Sequence, residues 1–130
     1  MKHNRMLTIT SLLSILLLSL HVTDDIVRGI SKPDFSNFGV VFYLAIMLLG
    51  PLFLANRLSG FVIMLLTGIL ALGMPFLHMR GTHYAEHAAS PGGFFFVWTL
   101  FAVGVTGVLG IILSVRAMWR LRHRGDSLIS

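Results

Sequence analysis

Histidine and carboxylate side chains carry the chemistry available to this sequence. The 130 residues include six histidines, five acidic residues and no cysteine, so disulfides, thiolate metal sites and thiol catalysis are excluded. His21 precedes Asp24 by three residues and Asp25 by four, which puts all three on one side of a helix. If His78 lies near them, the imidazoles and carboxylates could bind a divalent metal ion.

A local role for the same acidic residues is the alternative. Asp24 and Asp25 precede Arg28 by four and three residues, a spacing that lets either carboxylate pair with Arg28 on an exposed helix. Thr23 could cap the N-terminus of that short helix. On this interpretation His21 is a hydrated side chain at an interface.

A second group of metal-ligand residues follows His78. His83, Glu86 and His87 match the H-x-x-E-H pattern of inverted zinc peptidases, in which two histidines hold zinc and the glutamate activates water. Five residues are a weak match without a third ligand or a substrate cleft. We therefore treat these three residues as reserve metal ligands.

Haem is a further possibility at the first group. His21 and His78 could be the two axial ligands of a porphyrin held between helices. Nothing else in the sequence requires the large apolar slot that haem needs, so a divalent metal ion is the favoured cofactor.

The elements that position these residues are apolar. The chain is 55% hydrophobic and 12% charged, and its mean hydropathy is +0.85. A soluble domain of this size could not bury that much apolar surface, so a lipid bilayer is the expected solvent. The sequence predicts an all-α membrane protein with a single domain, 1–130, built as an antiparallel bundle of four transmembrane helices.

The boundaries follow from where the apolar stretches stop. The predicted helices span about 6–27, 38–55, 61–77 and 94–118. The predicted connections are outer loops at 28–37 and 78–93, an inner loop at 56–60 and a basic cytoplasmic tail at 119–130.

Charge asymmetry predicts the orientation. With the N-terminus inside, seven of the ten basic residues lie on the cytoplasmic side. Both termini are then cytoplasmic, in the inner membrane of a bacterium, and the metal-ligand residues lie at the outer face. Four basic residues near the C-terminus are expected to contact anionic lipid: Arg116, Arg120, Arg122 and Arg124.

Small residues predict helix packing. Ala102, Thr106, Gly110 and Ser114 recur every four residues along the fourth apolar stretch and form one narrow face. A neighbouring helix of the same chain, or a helix of a second subunit in a homo- or hetero-oligomer, could pack against that face.

The function most consistent with the sequence is that of an accessory or interaction protein of the cytoplasmic membrane, with no specific enzymatic activity indicated. The alternative is a metal- or haem-binding membrane protein with a His/Asp site at the outer face. The positive charge lies at the ends of apolar stretches, which favours lipid as its partner over nucleic acid.

The predicted orientation can be tested with reporter fusions. A reporter that is active only in the cytoplasm, fused after Ser130, should be active, whereas the same reporter inserted at Lys32 should be silent. The reverse pattern would show that the assignment of inner and outer faces is wrong.

Overall fold

The structure is a computed structural model that describes residues 2–30, 36–80 and 84–126. These residues form helices and connecting turns and contain no strand. The helices are α1 (Lys2–Val27), α2 (Ser36–Phe53), α3 (Leu58–Met79), α4 (Tyr84–Ala89) and α5 (Gly93–Asp126). The all-α prediction is therefore confirmed.

Three helices are long and apolar enough to cross a membrane: Asn4–Val27, Leu58–Met79 and Gly93–His123. The apolar part of α2, Gly39–Phe53, is shorter than these spans. Large apolar side chains such as Phe42, Phe94 and Trp98 are mostly exposed on the outside of the bundle. An apolar exterior of this kind suits a lipid environment.

The helices extend beyond the apolar stretches that predicted them. α1 begins at Lys2 rather than near residue 6, and α3 begins at Leu58 within the predicted inner loop. α5 continues to Asp126, so most of the predicted basic tail is helical, and α4 lies inside the predicted outer loop 78–93. Hydropathy marks the part of a helix that suits lipid, whereas backbone hydrogen bonds continue into the polar residues that follow.

Glycines bring α3 and α5 into backbone contact. A Cβ atom on Gly107 would lie 2.6 Å from the Leu72 nitrogen and 2.8 Å from the Gly68 carbonyl oxygen. A Cβ on Gly104 would lie 2.9 Å from Cγ of Pro75, so Gly104 provides the space for the proline ring. The two helices are antiparallel, because Gly104 on α5 meets Pro75 on α3, whereas the later residue Gly107 meets the earlier residue Gly68.

α1 packs alongside this pair. Leu7 belongs to a buried cluster with Phe61 and Met64. Leu18, further along α1, is clustered with Ala71 and Val103. The contacts of α1 with α3 rise together in residue number, so the two helices are parallel and their C-terminal ends lie together.

The close contact of α3 with α5 can be tested with a matched pair of glycine substitutions. Gly107→Ala should destabilise the protein by about 1–3 kcal/mol, because the new methyl group meets backbone atoms that cannot move aside. Gly73→Ala, where a Cβ meets nothing within 4 Å, should stabilise the fold by about 0.5–1 kcal/mol. Thermal unfolding in detergent, followed by circular dichroism, measures both. Equal midpoints for the two variants would contradict the observed packing of α3 on α5.

Candidate metal centre

Three metal-ligand side chains converge where α1 and α3 end. His21 and Asp25 come from the last two turns of α1, and His78 comes from the last turn of α3. His78 Nε2 lies 3.0 Å from Asp25 Oδ2, and His21 Nε2 lies 3.9 Å from Asp25 Oδ1. One ligand atom from each residue falls within 4.8 Å of the others, and this is the one such group among the described residues.

The cluster is enclosed by the protein. His21 is 0% exposed and Asp25 is 7% exposed. The two imidazole rings meet edge to face, with centroids 4.9 Å apart, and the ring of Phe96 at the start of α5 packs on both, 5.3 Å from His21 and 5.7 Å from His78. A buried carboxylate needs a partner cation or a proton, because an isolated charge is strongly disfavoured away from water.

Thr99 fixes the protonation pattern of the His21 ring. Its hydroxyl donates to the carbonyl oxygens of Phe95 and Phe96, so its single hydrogen is used within α5. The 3.0 Å contact between His21 Nδ1 and Thr99 Oγ1 therefore has the imidazole N–H as donor. The lone pair of neutral His21 then resides on Nε2, the atom that faces Asp25.

The His78 ring is oriented by its own helix. Its Nδ1 lies 3.1 Å from the carbonyl oxygen of Met74, which can only accept, so Nδ1 carries a hydrogen. Nε2 of neutral His78 is then a lone-pair atom, and it faces Asp25 Oδ2. Two lone-pair atoms 3.0 Å apart repel each other unless a proton is shared between them or a metal ion lies against both.

Two buried atoms of the cluster have no hydrogen-bond partner among the described residues. They are His21 Nε2 and Asp25 Oδ1. Both are acceptors, given the hydrogen on His21 Nδ1, and they face each other across 3.9 Å. The space between the three side chains therefore presents only lone pairs, which is the electrostatic environment that a cation prefers.

Asp24 plays the local role proposed for both acidic residues. Its Oδ2 accepts a 2.7 Å bond from Nε of Arg28, whose Nη1 also donates to Ser90 Oγ at 2.8 Å. Gly92, with a φ of 80°, leaves room for the guanidinium, because a Cβ there would collide with Arg28 Nη2. Asp24 thus orients Arg28, which ties the end of α1 to the turn before α5. Asp24 is not part of the cluster.

The proposed cap at Thr23 is wrong. α1 is one continuous helix to Val27, and the Thr23 hydroxyl donates to the carbonyl oxygen of Ser19 within it. A separate helix would begin here only if the backbone broke after Val22, whereas the helix continues and the N–H of Arg28 still donates to the carbonyl oxygen of Asp24.

The reserve ligands lie apart from the three converging residues. His83 falls outside the described residues. Glu86 is exposed on α4, whereas His87 is half-buried, with its ring 6.0 Å from that of Phe96. Neither belongs to the group of converging ligand atoms.

A porphyrin does not fit between His21 and His78. Axial ligands must face each other across the macrocycle, whereas these rings are in direct edge-to-face contact and share Phe96 as a wall. The geometry favours a single small ion over haem.

The predicted packing face lies inside the fold. Thr106, Gly110 and Ser114 are buried and Ala102 is half-buried. Of the four arginines expected at lipid, Arg116 and Arg122 are exposed and Arg120 is half-buried, whereas the side chain of Arg124 lies outside the described residues.

Two site residues were missed from the sequence. Phe96 belongs to an aromatic run with Phe94, Phe95 and Trp98 of the kind that is typical of a membrane interface, yet it is 1% exposed and packs on both histidines. Thr99 stands in an apolar stretch and matches no metal-site pattern. Thr99 and Phe96 lie on the same helical face as Thr106, because steps of three and four residues towards the N-terminus lead from Thr106 to both of them. Helical periodicity could therefore have predicted that both side chains face the bundle interior.

Comparison with known proteins adds no assignment. No protein-family model matches the chain, and neither a curated protein nor a solved structure is significantly similar to it. The fold and site define a helical protein with membrane-length helices and a buried His/Asp cluster at one end, and its function is inferred from that cluster.

The Thr99 hydrogen bond generates a test that is independent of any ligand. Thr99→Val leaves the N–H of His21 Nδ1 buried without an acceptor and should destabilise the protein by about 1–3 kcal/mol. Thr106→Val removes a hydroxyl that donates only to its own helix, and should change stability by less than about 0.5 kcal/mol. Denaturant titration in micelles measures the difference, and an unperturbed Thr99→Val variant would contradict the assigned His21 tautomer.

Proposed function

We propose that this protein is a small integral membrane protein that binds one divalent transition-metal ion through His21 Nε2, Asp25 and His78 Nε2. The observation that carries the proposal is the convergence of these three side chains from two helices in a buried position. Four spans with both termini in the cytoplasm would put the ion near the outer face of a bacterial cytoplasmic membrane.

The separation of the ligand atoms suits a first-row ion after a small closure. Atoms bound to tetrahedral zinc at about 2.0 Å lie about 3.3 Å from one another. The widest separation in the cluster is within 4.8 Å, so the ligand atoms would have to close by at most about 1.5 Å on binding the ion.

The hydrogen bonds around the cluster support the same assignment. Histidines that bind metals through one ring nitrogen commonly donate the other N–H to an oxygen acceptor, which fixes the tautomer. His21 does so to Thr99, and His78 does so to the Met74 carbonyl. Both Nε2 atoms are therefore prepared as ligands.

The composition of the site limits the metals and the chemistry. Two imidazoles and one carboxylate favour zinc or another first-row divalent ion over calcium or magnesium, which prefer sites made only of oxygen. Three protein ligands leave a position for water or an exogenous ligand. We infer a metal-binding accessory role, because the enclosing ring of Phe96 leaves little room for a large substrate.

A proton is the second candidate for the same site. The 3.0 Å contact between His78 Nε2 and Asp25 Oδ2 is that of a pair sharing one proton. This function would involve His78 and Asp25 but would leave the buried His21 Nε2 without a partner. A metal ion satisfies all three residues, which is why we favour it.

Adjacent carboxylates provide the matched test. The full chain, purified in detergent with an affinity tag that contains no histidine, should bind one equivalent of zinc in competition with a chromophoric chelator. Asp25→Asn removes the central anionic ligand and should weaken zinc binding by at least about 100-fold. Asp24→Asn removes the same charge one residue away, where the carboxylate pairs with Arg28, and should keep the affinity within about threefold.

The outcomes separate the two candidates. Stoichiometric zinc in the wild-type protein and in Asp24→Asn, with loss in Asp25→Asn and in His21→Ala, supports the metal site. Absence of zinc binding by the folded wild-type protein would overturn it and leave the proton-sharing pair. Equal loss in both aspartate variants would show that the overall charge at this end, rather than the cluster, attracts the ion.

A further inference from the structure

A polar cavity lies at the opposite end of the bundle from the histidines. It has a volume of about 770 Å³ and is bounded by the first turns of α1, the connection between α2 and α3, and the last part of α5. Its polar lining comprises Asn4, Arg5, Thr8, Asn56 and Arg120. His21 is the sixteenth residue after Arg5 on α1, which is about 24 Å along a helix, so the two sites are independent.

The charge lining this cavity is positive. Arg5 and Arg120 come from different helices, and no acidic residue is among the lining side chains. Neither arginine forms an ion pair with an acidic side chain of the described parts of the chain. Guanidinium groups bind phosphate oxygens with paired N–H donors, so two of them facing one cavity favour a phosphate group.

A hydrogen bond joins two walls of the cavity. Asn4 Nδ2 donates a 2.8 Å hydrogen bond to Asn56 Oδ1 and joins the start of α1 to the α2–α3 connection. The second hydrogen of the Asn4 amide and the amino group of Asn56 remain as possible donors to a ligand. These neutral groups can complete the coordination of phosphate oxygens between the arginines.

Apolar residues share the same walls. Ile9 and Leu121 line the cavity and are otherwise exposed on the outside of the bundle, and Phe61 forms its buried floor. Asn4 begins the membrane-length part of α1, and Arg120 lies three residues before the end of that of α5. The cavity therefore lies at the depth where hydrocarbon gives way to headgroups, with an apolar exit along its side.

We propose that this cavity binds the headgroup of an anionic phospholipid, with its phosphate between Arg5 and Arg120 and its acyl chains against Ile9 and Leu121. The sequence predicted anion contact by four arginines near the C-terminus. Of those four arginines, Arg120 lines the cavity. Arg5, which is distant from it in sequence, lines the cavity as well.

Native mass spectrometry of the full chain in detergent tests this site. Phosphatidylglycerol should be retained as a single bound lipid, whereas phosphatidylcholine with the same acyl chains should bind at least about tenfold more weakly, because its choline neutralises the headgroup. Inorganic phosphate should not displace the bound lipid, since it makes none of the apolar contacts.

Arg116 provides the matched control, because it is exposed on the same helix four residues before Arg120 and does not line the cavity. Arg5→Gln and Arg120→Gln should each weaken phosphatidylglycerol binding by about tenfold, and Arg116→Gln should change it by less than about twofold. Zinc binding at the histidine end should be unaffected in all three variants. Circular dichroism shows whether each variant is folded. If Arg5→Gln is not folded, the comparison of phosphatidylglycerol binding by Arg120→Gln and Arg116→Gln tests the proposal.

Three results would overturn the proposal. Equal weakening by Arg116→Gln and Arg120→Gln would indicate diffuse attraction to the basic end of α5. Equal retention of phosphatidylcholine would indicate apolar adhesion of lipid. Displacement of bound phosphatidylglycerol by an excess of inorganic phosphate would indicate a site for free phosphate.

Discussion

The backbone contact between α3 and α5 is the constraint on which the rest of the structure depends. Lipid is as apolar as the helix surfaces, so burial of apolar area does little to hold membrane helices together, and close approach must supply van der Waals contact instead. Gly68 and Gly107 allow that approach, and Gly104 accommodates the ring of Pro75. The contact fixes the antiparallel register of the two helices. That register determines the position of His78, near the end of α3, relative to Thr99 on α5.

α1 then decides what the two ends of the bundle contain. Because it lies parallel to α3, the packing of Leu7 near Phe61 and of Leu18 near Ala71 carries Asp25 to the level of His78. A rotation of α1 by one residue would instead direct Asp24 inward and expose Asp25. The small core contacts of α1 thus determine which of two adjacent carboxylates joins the histidines and which pairs with Arg28.

The two ends have opposite electrostatic character, for reasons that belong to side-chain chemistry. At one end, the buried acceptor atoms His21 Nε2 and Asp25 Oδ1 face each other, an arrangement that favours a cation. At the other, two guanidinium groups and two amides line an open cavity that suits an anion. A short chain can carry both because three helices of membrane length separate the ends, which places Arg5 about 24 Å from His21 along α1.

The sequence alone determined the helical class, the membrane-length apolar segments and the residue types able to bind a metal, because these follow from composition and from the spacing of His21 and Asp25 on one helix. It left Asp24 and Asp25 as equivalent candidates and gave no site role to Phe96 or Thr99. Only the tertiary structure decided these points, because each depends on how α1 is rotated against α3 and α5. That rotation arises from contacts between residues distant in sequence, which helical spacing within one segment does not contain.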